Sequence, residues 1–302
     1  MIRTRIKPST FDSYRANMQI HVLPTLGNRP LQQLTAAMLN GLYGSLLAEG
    51  SSHGPLAPKT VRYIHTIIYK ALADAIDAGV LHANAAERAK PPRPNRGRVR
   101  KIDCWGPEEL ASFLHSVQGD PLEPAWRLAA MTGMRRGEVL GLRWCDVDLD
   151  MARISVRSTI VSVGYEVLES SPKSHQARVI DIDEGTCEFL RDLRDHQRAE
   201  TGTRTERNHD LVVRSEDGAP IHPHSLSQAF ARTIKQAGLR RIRLHDLRHT
   251  HATIAIKAGV PVKVISERLG HESPAFTLKQ YAHVVPGMQA EAAEKIAAVV
   301  AS

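Results

Sequence analysis

The stretch Leu244–Val285, LHDLRHTHATIAIKAGVPVKVISERLGHESPAFTLKQYAHVV, concentrates side chains that hold or attack a phosphate. His245 and Arg248 stand three residues apart, His271 follows Gly270, and Tyr281 comes ten residues later. An arginine grips two phosphate oxygens through parallel N–H donors and stays charged at any working pH. A histidine gives or takes a proton near neutrality. A tyrosine hydroxyl attacks phosphorus to form an ester that conserves the broken bond. A free phenol has a pKa near 10, so about one in a thousand is ionised at pH 7, a handicap of roughly 4 kcal/mol that nearby cations and a base must offset.

The elements that position these groups are legible. His245 and Arg248, at i and i+3, project from one face of the first turn of a helix whose apolar positions are Leu247, Ile254 and Ile256. Gly259 and Pro261 interrupt the chain, and Pro261 suits the first turn of a second helix through Val262, Ile265 and Leu269, stopped by Gly270. Ser273 and Pro274 open a third short helix, expected to carry Leu278 inward and Tyr281 near its end. His249 and His251 are expected to brace the first helix or to face solvent. Together with His245, His271 and His283 they would suit a metal hydrolase, but no His-Glu-x-x-His, no carboxylate at ligand spacing and no cysteine pair accompanies them.

The order Arg…Lys…His-x-x-Arg…His…Tyr resembles the tyrosine recombinase (phage integrase) family. His-Asp-Leu-Arg-His-Thr from His245, Leu-Gly-His ending at His271 and Tyr-Ala-His from Tyr281 are near-verbatim forms of its motifs. A lone His-x-x-Arg arises often by chance; the ordered set with its spacings is specific, and the resemblance runs from about Thr10 to the end of the chain. It implies a catalytic set of Arg135, Lys173, His245, Arg248, His271 and Tyr281. In Thr132-Gly133-Met134-Arg135-Arg136-Gly137-Glu138 the residues alone let either arginine point inward. The family spacing favours Arg135, with Glu138 as the partner that holds the helix start.

What the resemblance implies about chemistry is a site-specific, integrase-type recombination through a covalent 3′-phosphotyrosine intermediate, with no cofactor, metal or ATP. Arg135 and Arg248 would hold the non-bridging oxygens, and Lys173 would protonate the leaving 5′ oxygen. His245 would take or share the tyrosine proton, and His271 would donate to the phosphate. The implied partner is double-stranded DNA with specific attachment sites, bound by a homotetramer assembled from free monomers on synapsed DNA, with an accessory DNA-bending protein as a further candidate. Two other classes use the same scaffold or nucleophile: a DNA-binding protein that has lost cleavage, and a type IB topoisomerase. The intact six-residue set speaks against the first, and the helical N-terminal region with the Leu-Gly-His form speaks against the second.

Composition agrees without being specific. The 302 residues carry 40 Lys+Arg against 32 Asp+Glu, a formal charge of +8 that favours a polyanionic partner, and 42% hydrophobic residues suffice for two cores. Cys104, Cys145 and Cys187 are odd in number and widely spaced, as in reduced cytosolic proteins. No apolar leader and no run of eighteen apolar residues is present, so a cytoplasmic, DNA-associated protein with no membrane partner is expected.

The expected fold is mainly α with a small antiparallel sheet, in two domains that clamp DNA. Residues 1–89 read as an all-α bundle: a helix with Phe11, Tyr14, Met18 and Val22 that Pro24 and Gly27 end, a second from Thr35, and a longer third with Val61, Ile64, Ile68 and Leu72 inward. The resemblance makes this a core-binding domain, with Lys59, Arg62 and Lys70 as candidate phosphate contacts. Residues 90–102 form a basic, proline-rich linker. Its Arg93, Arg96, Arg98, Arg100 and Lys101 are further candidates, because a linker crossing a duplex gains from releasing counterions. Residues 103–302 are the catalytic domain, mixed α+β, ending in a weak tail helix over Met288–Val300. Ile154–Val161, Tyr165–Leu168 and Arg178–Ile182 read as one three-stranded sheet, with Lys173 at the hairpin tip between the second and third strands. Many integrases carry an additional N-terminal arm-binding domain; in this sequence the resemblance starts almost at the first core-binding helix.

Overall fold

The computed structural model describes residues 6–50, 54–93, 103–164, 166–170, 177–201, 210–281, 293–294, 296–298 and 300. The chain divides into two compact units, Met1–Lys101 and Ile102–Ser302.

The named elements among the first unit's described residues are all helices. Helix α1 (Pro8–Asn17) runs through a wide π turn (Met18–Val22) into α2 (Leu23–Leu26). Pro24 therefore does not end the helix, as its sequence suggests. Proline has no N–H to give the carbonyl four residues back, and the π turn, in which Leu23 N–H reaches Met18 O, re-phases the ladder so that the chain continues to Gly27. Helix α3 (Ala36–Ala48) starts at Thr35, whose hydroxyl accepts from Met38 N–H at 3.3 Å, and α4 (Pro58–Asp77) follows. Leu39, Leu42, Tyr43 and Leu46 of α3 meet Val61, Ile64, Ile68 and Leu72 of α4 in the unit's core. Lys59, Arg62 and Lys70 lie exposed on the opposite side of α4, and Arg93 is exposed too. The remaining linker candidates Arg96, Arg98, Arg100 and Lys101 lie outside the described residues.

The second unit begins with α5 (Pro107–Ser116), α6 (Glu123–Thr132) and the short α7 (Arg136–Leu140). Strands β1 (Val147–Asp148), β2 (Arg153–Val156), β3 (Thr159–Val163), β4 (Glu166–Ser170) and β5 (Arg178–Asp181) follow, then α8 (Glu184–Thr201) and α9 (Pro223–Gln236). The chain closes on α10 (Leu244–Lys257), α11 (Val262–Leu269) and α12 (Pro274–Tyr281). Trp105, Phe113, Trp126 and Phe230 form an aromatic nucleus that ties α5, α6 and α9 together. Trp105 N–H donates to Thr250 Oγ at 3.0 Å, joining the start of this unit to α10. Of the expected tail helix, Ile296 and Val300 are described and both are exposed.

The single three-stranded sheet expected from the sequence is two sheets. The run Ile154–Val161 breaks after Val156: β2 pairs antiparallel with β1 and β5, whereas β3 pairs only with β4. The cause is α7, whose Gly137 and Gly141 bring its backbone against Thr159 and Ile160, drawing β3 toward the helix and away from the line of β2. Strands β4 and β5 therefore belong to different sheets, and the pairing expected between the second and third strands is not formed among the described residues. Lys173 itself lies outside the described residues.

Candidate active site

Arg135 occupies the cap position of α7, directly after a turn in which Gly133 ends α6 with φ of +67°. Its backbone N–H donates to Glu138 Oε2 at 2.8 Å, its Nη1 to Glu138 Oε1 at 2.9 Å, and its Nη2 to Gly270 O at 3.0 Å. Glu138 thus caps the helix and orients the guanidinium, as the spacing suggests. Arg136 turns away and donates to Ser227 Oγ at 2.7 Å, so of the two neighbours Arg135 is the inward one.

Arg248 comes from α10 and is only 4% exposed. Its Nη1 donates to Gly133 O at 2.7 Å and its Nη2 to Leu269 O. Both arginines are therefore anchored on carbonyls beside two left-handed glycines, Gly133 and Gly270, at the ends of α6 and α11. Burial and the repulsion of Arg135 pull the Arg248 guanidinium down to about 9, still charged at neutral pH.

Two participants were not singled out from the sequence. Arg178, at the start of β5, donates from Nη1 and Nη2 to Glu138 Oε1 and Oε2 at 3.0 and 2.6 Å, and from Nε to Arg268 O at 2.8 Å. Burial would push the Glu138 carboxyl up. The hydrogen bonds and charge of Arg178, followed by those of Arg135, outweigh it and hold the group at about 2. A signal existed: Arg178 shares the two-residue period of the fully buried Ile180, which puts a charge on the inner face of the strand.

The second is His249. The Tyr281 hydroxyl meets its Nδ1 at 2.8 Å, not His245, so His249 neither faces solvent nor merely braces its helix. His249 lies one turn beyond His245 on the same stripe of α10, the two rings 5.2 Å apart edge to face. His251 does brace: its Nδ1 pairs with Ala130 O at 3.0 Å, joining α10 to α6. His271 pairs through Nδ1 with Thr277 Oγ at 2.7 Å. That bond sets the rotation of α12, placing Thr277 and Tyr281 on its inner face and leaving Leu278 51% exposed, contrary to the expected inward Leu278.

The electrostatics mark one shared site. The Tyr281 side chain is 1% exposed, and burial pushes its hydroxyl up to about 12 against the opposing pull of Arg248. Burial, then Arg248 and Arg135, bring His271 down to about 3; burial, then His245, bring His249 down to about 4. All three are neutral at pH 7. Four elements from widely separated parts of the chain, α7, β5, α10 and α12, converge on these groups.

The sequence model described as the phage integrase family matches residues 108–287, more than half of the chain. The chain belongs to the phage integrase family. A second model, described as the phage integrase N-terminal SAM-like domain, matches residues 1–47. Among curated integrase relatives, the chain is 26% identical over 315 aligned positions to a "Tyrosine recombinase XerC-like" protein of Caldanaerobacter subterraneus subsp. tengcongensis, covering 98% of this chain and 79% of that one. It is 27% identical over 296 positions to the ICEBs1 integrase of Bacillus subtilis, covering 96% and 78%. In fold it matches the Tn1549 transposon integrase solved with a circular-intermediate DNA, with a TM-score of 0.77, 20% identity and coverage of 98% and 96%. This integrase is a tyrosine recombinase, an enzyme of site-specific DNA strand exchange. Among its described residues no helix is long and apolar enough to cross a membrane.

Proposed function

We propose that Tyr281 is the nucleophile of this recombinase, attacking a DNA phosphodiester to give a 3′-phosphotyrosine ester and a free 5′ hydroxyl. Arg135 and Arg248 hold the non-bridging oxygens as charge accumulates on the five-coordinate phosphorus. His271 and His245 donate to the same phosphate, and Lys173 protonates the leaving oxygen. Religation by a different 5′ hydroxyl is the same step reversed, so exchange needs no external energy.

The observation that carries this reading is that the Arg248 guanidinium lies within electrostatic reach of both the Arg135 guanidinium and the Tyr281 hydroxyl, each arginine being tethered by a carbonyl at a left-handed glycine. Such tethering pre-orients the donors, and preorganised donors are worth on the order of a hundred- to a thousandfold each in rate. The DNA partner is supported by the solved relative, bound to circular-intermediate DNA, and by the net charge of +8. Within it, Lys59, Arg62, Lys70, Arg93, Arg96, Arg98, Arg100 and Lys101 are assigned to phosphates, the bundle and the catalytic unit acting as two domains joined by a basic linker. Specific attachment sites, a tetramer on synapsed DNA, an accessory bending protein and a cytoplasmic location complete the reading.

A suicide duplex nicked beside the cleavage site tests it. Wild-type protein is expected to form a covalent protein–DNA adduct that Tyr281→Phe abolishes while still binding the duplex. A wild-type protein that binds the site and forms no adduct would leave only a DNA-binding role.

A further inference from the structure

From the 2.8 Å contact between the Tyr281 hydroxyl and His249 Nδ1, we infer that His249, and not the His245 of the His-x-x-Arg motif, receives the tyrosine proton when the phosphotyrosine bond forms. The inference rests on the recombinase reading and adds a catalytic residue to it. The hydroxyl is buried, so bulk water is not at hand to take its proton. For the hydroxyl to be the donor in this contact, His249 carries its ring proton on Nε2 and offers the Nδ1 lone pair.

The groups around His249 keep that lone pair free. On its own helix it faces His245, Arg248 and Arg243, whose charges oppose a second proton, and Asp246, which favours one; Tyr281 comes from α12, and His271 lies within electrostatic reach. Burial adds to the opposition, so the ring is neutral over the working pH range. A neutral imidazole is far too weak a base to ionise a resting phenol at about 12. Once the Tyr281 oxygen bonds to phosphorus it can no longer hold its proton, and the affinity of that oxygen falls through that of the imidazole. A base lying between the two extremes takes the proton during bond formation and not before.

The step balances. The Tyr281 O–H bond breaks and its proton moves to His249 Nδ1; the P–O bond to Tyr281 forms and the P–O5′ bond breaks; the 5′ oxygen takes a proton from Lys173. His249 gains the charge that Lys173 loses, and religation returns both protons. The resting pair also holds the nucleophile in the site as a neutral phenol that is not spent before a phosphate arrives.

The test compares wild type, His249→Asn and His249→Leu on the nicked suicide duplex, with DNA affinity and melting temperature measured beside it. Asparagine keeps a hydrogen-bond acceptor near the Nδ1 position but is no base. Both variants are expected to form adduct about a hundredfold more slowly than wild type. A duplex with sulfur in place of the leaving 5′ oxygen, which departs without a proton, should restore Lys173→Ala and leave both His249 variants slow. His249→Asn reacting within about fivefold of wild type, or sulfur restoring it, would overturn the assignment. If His249→Leu does not fold, the asparagine variant decides alone. Absence of adduct with wild type would refute the recombinase reading itself, whereas a slow variant beside an active wild type bears only on His249.

Discussion

Glu138 is the residue on which the site's geometry turns. It is buried, accepts from the backbone N–H and guanidinium of Arg135 and is gripped in a two-point fork by Arg178, so it transmits the position of β5 to the guanidinium expected to hold phosphate. Breaking one side of a buried ion pair leaves an uncompensated charge, at a cost of roughly 3–5 kcal/mol. Arg178→Leu is therefore expected to lower unfolding free energy by about 3 kcal/mol in urea titrations, Arg135 remaining as partial compensation. It should also slow adduct formation, because Arg135 loses its fixed partner. Arg178→Lys keeps the charge without the fork and should recover only part of both losses. Stability unchanged in Arg178→Leu would contradict the role given to this pair.

At the scale of elements, the site depends on how helices end. Gly270 closes α11 with φ of +63°, and a Cβ there would lie 2.9 Å from Arg178 Cδ and 3.0 Å from its Nη1. The same residue lends its carbonyl to Arg135 and leads into His271. Left-handed strain alone costs about 1–2 kcal/mol for a residue with a side chain. Gly270→Ala should therefore destabilise by at least that amount and, by displacing Arg178, cut adduct formation at least tenfold with DNA affinity preserved. Loss of stability with an unchanged cleavage rate would show that the turn serves folding alone. The split of the expected sheet is an element-scale effect as well: periodicity within Ile154–Val161 is unbroken, and only the approach of α7 divides it between partners.

For the molecule as a whole, the packing of neutral histidines and an ionised carboxylate inside the catalytic unit sets its response to acid. His249 and His251 fall to about 4 and His271 to about 3, below the ordinary 6.5. Between pH 6.5 and about 4 the unfolded chain binds more protons than the folded one, so stability rises with pH across that window and is lost on acidification. Each group contributes up to about 1.4 kcal/mol per pH unit there. Glu138 acts lower: its contribution is intact above 4.5 and disappears as pH falls toward 2. Urea midpoints followed by the fluorescence of the buried Trp105 and Trp126 are expected to be level from pH 8 to 7 and to drop steeply from 6.5 to 4. A profile flat to pH 4.5 would count against burial of these rings.

By itself the sequence determined the family, the helical N-terminal bundle and the order of the groups proposed to do the chemistry, because residue types, punctuation by glycine and proline, and i, i+3 spacing are local properties. It identified Glu138 as the partner of Arg135 for the same reason: cap and third helical residue lie within one turn. Only the tertiary structure decided that His249 meets the phenol, that Arg178 completes the Glu138 pair, and that Leu278 faces outward. Each depends on the rotation of a strand or helix about its own axis. That rotation is set by contacts between residues far apart along the chain, such as those of Tyr281 with His249 thirty-two positions away and of Arg178 with Glu138 forty positions away.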